Sequence, residues 1–264
     1  MNLDLHTKNA ILSTMPDVIQ GFVVDTETEL TVSPYKLPSV QEFLGRTGPL
    51  PQEALVMGVA EDGLPILLNL WDPQPGPILV AGDSQSGKTN FLKTITRVAA
   101  CTHHASEIQY GVITSHPHEW AGHADSPQCI GIFSAVQRNV ADFIRALAAW
   151  AGMNKTSRQS VLLLIDGLDD LPARNSGLGR DLHKILVQGP AKRVWPIATM
   201  NLECCGNAGT WLQYFHTPVF GYTQKAGVIG EYGCPSSGFE NLSRGVEFSL
   251  KERSQWIKFR IPGM

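Results

Sequence analysis

Eight consecutive residues, Gly82-Asp83-Ser84-Gln85-Ser86-Gly87-Lys88-Thr89, have the types and spacing of a phosphate-binding loop. They fit G-x-x-x-x-G-K-[ST], the P-loop or Walker A pattern, and stand between an apolar run and an amphipathic stretch, the strand and helix the motif requires. Glycines let the loop turn so that successive backbone N–H groups face one point, and the following helix N-terminus adds a favourable dipole. The Lys88 ammonium supplies positive charge to the β and γ oxygens of a nucleotide. Thr89 would place its hydroxyl on Mg²⁺, and Asn90 follows in the first helical turn, so Gly82 through Asn90 form the candidate ATP contact. The alternative is a glycine turn beside a solvated lysine.

A second motif weighs against that alternative. Val161-Leu162-Leu163-Leu164-Ile165-Asp166 is an apolar strand ending in a carboxylate, the Walker B arrangement. Alone it reads as a capped strand end; paired with the loop, Asp166 can hold Mg²⁺ through water and complete a site begun by Thr89. The strand from Val194 to Met200 ends in Asn201, which would sit beside the γ-phosphate as a sensor if its strand neighbours that of Asp166. Otherwise Asn201 caps the strand and starts a turn.

These residues need a scaffold, and the chain supplies one. From Ile78, apolar runs of strand length alternate with helical periodicities. Strands are expected at Ile78–Ala81, Ile108–Thr114, Cys129–Phe133, Val161–Ile165 and Val194–Met200. Helices are expected near Lys88–Ala100, Asn139–Ala151 and Leu178–Gln188. In the second of these, Val140, Phe143, Ile144, Leu147 and Ala151 share one face. That order predicts an α/β fold with a mainly parallel sheet and flanking helices. Ala54 to Trp71 reads as a hairpin around Glu61-Asp62-Gly63. Thr217–Tyr222, Val246–Leu250 and Trp256–Ile261 read as terminal β additions.

Composition narrows the class. The chain has 264 residues, 43% of them hydrophobic, enough for one sizeable core domain with an N-terminal extension. Its apolar runs are far shorter than the roughly 20 residues a bilayer requires, and the start MNLDLHTKN lacks a signal peptide's regions, so a cytoplasmic location without membrane insertion is expected. Five cysteines make an odd set without a paired framework and fit reduced thiols. His103, His104, His116, His118, His123 and Cys129 follow no standard zinc spacing. Residues 1–76 carry three basic and ten acidic side chains, so the extension over 1–37 belongs to an acidic region and the remainder is mildly basic. That balance permits nucleic-acid contact without demanding it.

From about Pro38 to Pro262 the chain resembles the FtsK/SpoIIIE branch of the FtsK/HerA ATPases. Met57-Gly58-Val59-Ala60-Glu61-Asp62-Gly63-Leu64-Pro65 is similar to the family's lead-in hairpin, and Leu68-Asn69-Leu70 follows it. GDSQSGKTNFLKTI is similar to modules of type VII secretion motors and of DNA pumps. Ile197-Ala198-Thr199 resembles the sensor strand, Glu240-Asn241-Leu242-Ser243-Arg244-Gly245 the segment before the closing hairpin, and Trp256–Pro262 the last strand. The resemblance implies a RecA-like core over 38–264, working as a hexameric ring with ATP and Mg²⁺ between subunits and a pore that grips double-stranded DNA or a polypeptide. Neither the membrane segments nor the winged-helix module of long FtsK-type translocases is recognised, so a nearly bare motor domain is expected.

One departure concerns the chemistry. Relatives usually carry Glu or Asp directly after the Walker B aspartate to polarise the attacking water, but this chain has Gly167, which cannot act as a base. Asp169 and Asp170 are the remaining acids of that loop. Arg174, Arg180, Arg193 and Arg244 are candidates for a charge-stabilising arginine, and Trp120 and Trp150 read as pore or core aromatics. Three functions follow: a DNA translocase with Lys88, Asp166, Asn201 and Asp169 or Asp170 in the site, a weakly hydrolysing subunit that docks into a larger complex, or a secretion motor.

Overall fold

The computed structural model describes residues 38–154, 157–171, 177–204, 209–224, 238–252 and 255–263. The acidic extension over 1–37 and Arg174 lie outside them. The chain first forms α1 (Val40–Thr47). Ser39 caps it: its hydroxyl accepts the Glu42 N–H at 3.2 Å, while the Glu42 carboxylate accepts the Ser39 N–H at 2.8 Å. This S-x-x-E capping box is a sequence signal for a helix that periodicity alone did not reveal. Next come β1 (Ala54–Ala60) and β2 (Pro65–Asn69), the expected hairpin, whose turn places Gly63 at φ 85°.

The α/β core follows as β3 (Ile78–Gly82), α2 (Lys88–Thr102), β4 (Ile108–Thr114), the short α3 (Ala121–Ala124), β5 (Cys129–Ser134), α4 (Asn139–Met153), β6 (Ser160–Asp166), α5 (Gly177–Gln188) and β7 (Val194–Asn201). After the one-turn α6 (Gly209–Leu212), β8 (Thr217–Phe220), β9 (Glu247–Glu252) and β10 (Gln255–Arg260) complete the sheet. The ten strands lie in the order β2-β1-β10-β9-β8-β3-β7-β6-β4-β5. From β8 to β5 all neighbours are parallel; from β8 back to β2 all are antiparallel. Six parallel strands thus carry the site, and a four-stranded antiparallel half extends them.

Period-two alternation explains why both faces of the parallel half are covered. Leu162 and Leu164 of β6 point into one apolar cluster with Phe91, Leu92 and Ile95 of α2. Val161, Leu163 and Ile165 point into the other, with Ile144 and Leu147 of α4 and Leu182 and Ile185 of α5. The strand is sealed on both sides until Asp166, the first partly exposed residue at its carboxyl end. β8 is two residues shorter than expected, because Gly221 and Tyr222 leave the ladder to meet the phosphate loop: Gly221 N–H still bonds Ala81, but the Tyr222 carbonyl accepts the Asp83 N–H at 3.0 Å.

Candidate nucleotide site

Register brings the two motifs together. β7 lies between β3 and β6, with Gly82 opposite Asn201 and Asp166 opposite Thr199, so the condition set on Asn201, that its strand neighbour the Asp166 strand, is met. All three strands end at the same edge, where open α/β sheets bind ligands. The loop over 83–87 turns there, with Gln85 at φ 59° and Gly87 at φ 93°, and delivers the chain into α2. No side chain caps that helix. Its first-turn N–H groups at Lys88, Thr89 and Asn90 therefore face the loop's concave side as an anion site.

Lys88 folds back across the loop. Its ammonium donates to the carbonyls of Gly82 at 3.0 Å and Asp83 at 2.6 Å and to the Ser86 hydroxyl at 3.3 Å. Burial lowers the Lys88 pKa, against the raising effect of Asp169, Asp83, Asp166 and Glu203. Ser84 and Gln85 are exposed at the tip and Ser86 is fully buried. Asp83 does not face the ligand side with its carboxylate. It accepts the Thr223 hydroxyl at 2.7 Å and the Gln224 N–H at 2.9 Å, so it ties the loop to the segment after β8. Gly245 supports the loop from the other end, donating its N–H to the Ser86 carbonyl at 3.1 Å. A Cβ on Gly87 would lie 2.4 Å from the Gly245 Cα, so only glycine allows that approach.

Asp166 is the hub. Its Oδ1 accepts the Thr89 hydroxyl at 2.9 Å and the Thr199 hydroxyl at 3.1 Å, and its Oδ2 accepts the Trp120 indole N–H at 3.1 Å. A hydroxyl and a carboxylate facing each other beside a phosphate loop form the oxygen donor set that Mg²⁺ uses with phosphate oxygens and water, so Thr89 and Asp166 fit the expected ion. Among the described residues, no three His, Cys, Asp or Glu side chains are grouped to hold a metal. The rest of a Mg²⁺ shell would come from nucleotide and water.

The turn after Asp166 separates the two candidate bases. Gly167 sits at φ 104°, ψ 75°, its N–H bonded to the Thr199 hydroxyl at 2.9 Å, and a 3₁₀ turn over Leu168–Asp170 follows. Asp169 is half-buried, and of the carboxylates acting on Lys88 it acts most strongly. Burial raises its pKa, helped by Asp170, while its own N–H, that of Asn201 and Lys88 pull the other way. Asp170 is exposed and turns back under Gly167, its Oδ2 lying 2.7 Å from where a Cβ at 167 would be. Asn201 does cap the following turn, its Oδ1 accepting the Glu203 N–H at 3.0 Å, which leaves only its NH₂ to meet a phosphate.

The remaining candidates scatter. Arg244 stacks on Tyr222, 3.9 Å from the ring centroid and next to the loop-supporting Gly245. Arg193 packs on Trp71 at the other end of β7, and Arg180 is exposed on α5. Trp120 is fully buried and Trp150 packs against the core. Thr199, Thr223 and Gly245 join the site with no role expected from the sequence, and Trp120, read there as a pore or core aromatic, is buried against Asp166. Only Thr199 had a usable signal, lying two positions before Asn201 and thus on the same face of the strand.

The loop, the Asp166 strand and their parallel order define a P-loop NTPase fold. More closely, the fold is that of FtsK/SpoIIIE-type ATPase domains. The Thermomonospora curvata EccC structure of ATPases 2 and 3, solved with a signal sequence peptide, superposes at TM-score 0.65 and 16% identity over 88% of this chain. The chain spans 44% of that EccC chain, less than half its length. The pCW3 conjugation coupling protein TcpA, with ATPγS, gives 0.65 and 11% over 86% of this chain and 69% of that one. The genome packaging NTPase B204 of Sulfolobus turreted icosahedral virus 2, with AMP, gives 0.54 and 14% over 73% of this chain and 100% of that one. No family model and no curated protein sequence matches the chain.

Proposed function

We propose that this chain binds ATP with Mg²⁺ and hydrolyses it to drive a ring-shaped motor. The observation that carries the reading is the 2.9 Å approach of the Thr89 hydroxyl to the Asp166 carboxylate, beside a loop whose lysine and helix N-terminus await phosphate. The N–H groups at Lys88, Thr89 and Asn90 hold the phosphates, and the Lys88 ammonium turns from its loop carbonyls to the β and γ oxygens. Mg²⁺ on Thr89 and Asp166 would neutralise charge developing on those oxygens. The Asn201 NH₂ donates to the γ-phosphate, and Asp169 takes the proton of the attacking water.

Double-stranded DNA is the polymer of this reading, as in the pumps whose loops this one resembles; the ring, six subunits in that family, places a neighbour's arginine on the nucleotide. A polypeptide cargo is the second reading, favoured by the likeness to EccC bound to a signal sequence peptide. A docking subunit with slow turnover is the third, favoured by Gly167. Steady-state ATP hydrolysis with and without double-stranded DNA, on the native protein and on Lys88→Ala, separates them. DNA-stimulated turnover lost in the variant supports the translocase. Stimulation by peptide alone transfers the proposal to secretion, and stable ATP binding without turnover overturns the motor.

A further inference from the structure

We propose that Trp120 is a positioning residue for Mg²⁺, fixing the orientation of the Asp166 carboxylate through its Oδ2; the inference rests on the Mg²⁺–ATP reading of the site. β4 runs parallel to β6 with Thr114 opposite Asp166, so the chain leaving β4 starts beside the carboxylate. Four residues of that crossing, Pro117–Trp120, form a 3₁₀ turn that drives the indole inward. Trp120 has no exposed surface, and its N–H points at Asp166 Oδ2 at 3.1 Å.

An indole suits this place for three reasons. It is a donor only, so it cannot compete with Asp166 for a cation. It is fully buried against the carboxylate, so its N–H gives one oxygen one fixed partner. It is also held from outside: the Tyr110 hydroxyl donates to the His123 carbonyl at 2.8 Å, His123 packs on the Trp120 ring at 5.4 Å, and the Lys93 ammonium lies 5.7 Å from that ring. With Oδ2 occupied by the indole N–H, Oδ1 is left toward the Thr89 and Thr199 hydroxyls, where a cation bridging to phosphate would sit. Outer partners that orient a metal's carboxylate or imidazole ligand typically change metal affinity by about 10- to 100-fold when removed.

The bond also makes Trp120 a reporter, since a cation on Asp166 changes the charge beside its ring. Three measurements on the full chain test the proposal: Mg²⁺ titration of a fluorescent non-hydrolysable ATP analogue's affinity, tryptophan emission during the same titration, and melting without Mg²⁺. Trp120→Phe keeps an aromatic ring and deletes the N–H. It should raise the Mg²⁺ concentration for half-maximal nucleotide affinity about 10-fold, leave Mg²⁺-free nucleotide binding within about 2-fold, and remove most of the Mg²⁺-dependent emission change. An unchanged Mg²⁺ midpoint in a folded Trp120→Phe overturns it. Should that variant fail to fold, the native protein decides: a Mg²⁺-dependent emission change that Asp166→Ala removes supports the proposal, and no such change overturns it. A native protein that gains no nucleotide affinity from Mg²⁺ refutes the underlying site instead.

Discussion

The phosphate loop and the turn after Asp166 lie side by side at the carboxyl ends of the strands, yet they are held in different ways. The loop is clamped from outside its own segment: Asp83 bonds Thr223 and Gln224, Ser86 accepts from Gly245, and Gly87 abuts the Gly245 backbone. The turn has a lighter polar hold around the buried Leu168, with Gly167 N–H on Thr199 and local bonds closing the 3₁₀ turn. Phosphate binding needs fixed donors, so rigidity serves it. Under the proposed ring motor, water activation would wait on a neighbouring subunit, and a lightly held turn could reorganise when that neighbour arrives.

The largest effect is expected in the turn. Asp169→Asn should lower kcat by about 10²- to 10⁴-fold, the range for loss of a positioned base, while Asp170→Asn changes it by less than about 3-fold. The native rate should fall on the acid side around a pKa above the ordinary carboxylate range, since burial raises that of Asp169, and Asp169→Asn should lose this limb. Equal losses from both variants would erase the distinction drawn between the two acids.

The clamp itself has a pH-sensitive anchor. Glu247, with its side chain 3% exposed, accepts the Ser243 N–H at 2.8 Å and pairs with Arg260 at 2.9 Å and Lys258 at 3.1 Å, fixing the segment that carries Gly245. Burial pushes the Glu247 pKa up, but Ser243, Arg260 and Lys258 outweigh it and hold the carboxyl at about 2 instead of 4.5. A folded pKa below the unfolded one means stability that is complete above pH 4.5 and lost as pH falls toward 2. The amount is on the order of 3 kcal/mol. Denaturant unfolding from pH 2 to 7 should show this loss in the native protein and not in Glu247→Gln, which starts lower. Parallel curves would dismiss the anchor.

Gly87→Ala comes next. It adds a Cβ at φ 93°, 2.4 Å from the Gly245 Cα, so either the loop or its clamp must move. Unfolding should show a loss of about 2 kcal/mol, accompanied by weaker nucleotide binding. Loss of stability without loss of binding would mean that the clamp shapes the fold but not the phosphate site.

What the sequence disclosed follows the same division. The loop, the Asp166 strand and the alternation around them are local patterns, and the core strands and helices form within a few residues of their expected bounds. The partners of Asp166 and Asp83 are not local. Trp120 reaches Asp166 across 46 positions and Thr223 reaches Asp83 across 140, contacts that only the register of β4 with β6 and of β8 with β3 creates. Asp169 and Asp170 could not be told apart because they are adjacent in a 3₁₀ turn, where one side chain faces Lys88 and the other Gly167.

Gly167→Glu sharpens the comparison most finely, since it installs the acid usual at this place in the family the chain resembles. Two obstacles meet it. The Asp170 carboxylate, 2.7 Å from the new Cβ, is the end of a flexible side chain and can swing away; the backbone at φ 104° cannot relax without giving up the Gly167 N–H bond to Thr199. A left-handed backbone costs an L-residue about 1–2 kcal/mol, so a drop of that size in unfolding free energy, shared by Gly167→Ala, is expected. Turnover should not rise, because an acid at this φ leaves the turn facing as it was. The informative background is Asp169→Asn: recovered turnover in Asp169→Asn/Gly167→Glu would show that the turn can present an acid from either position. Its looseness, more than the placement of Asp169, would then be what the chemistry uses.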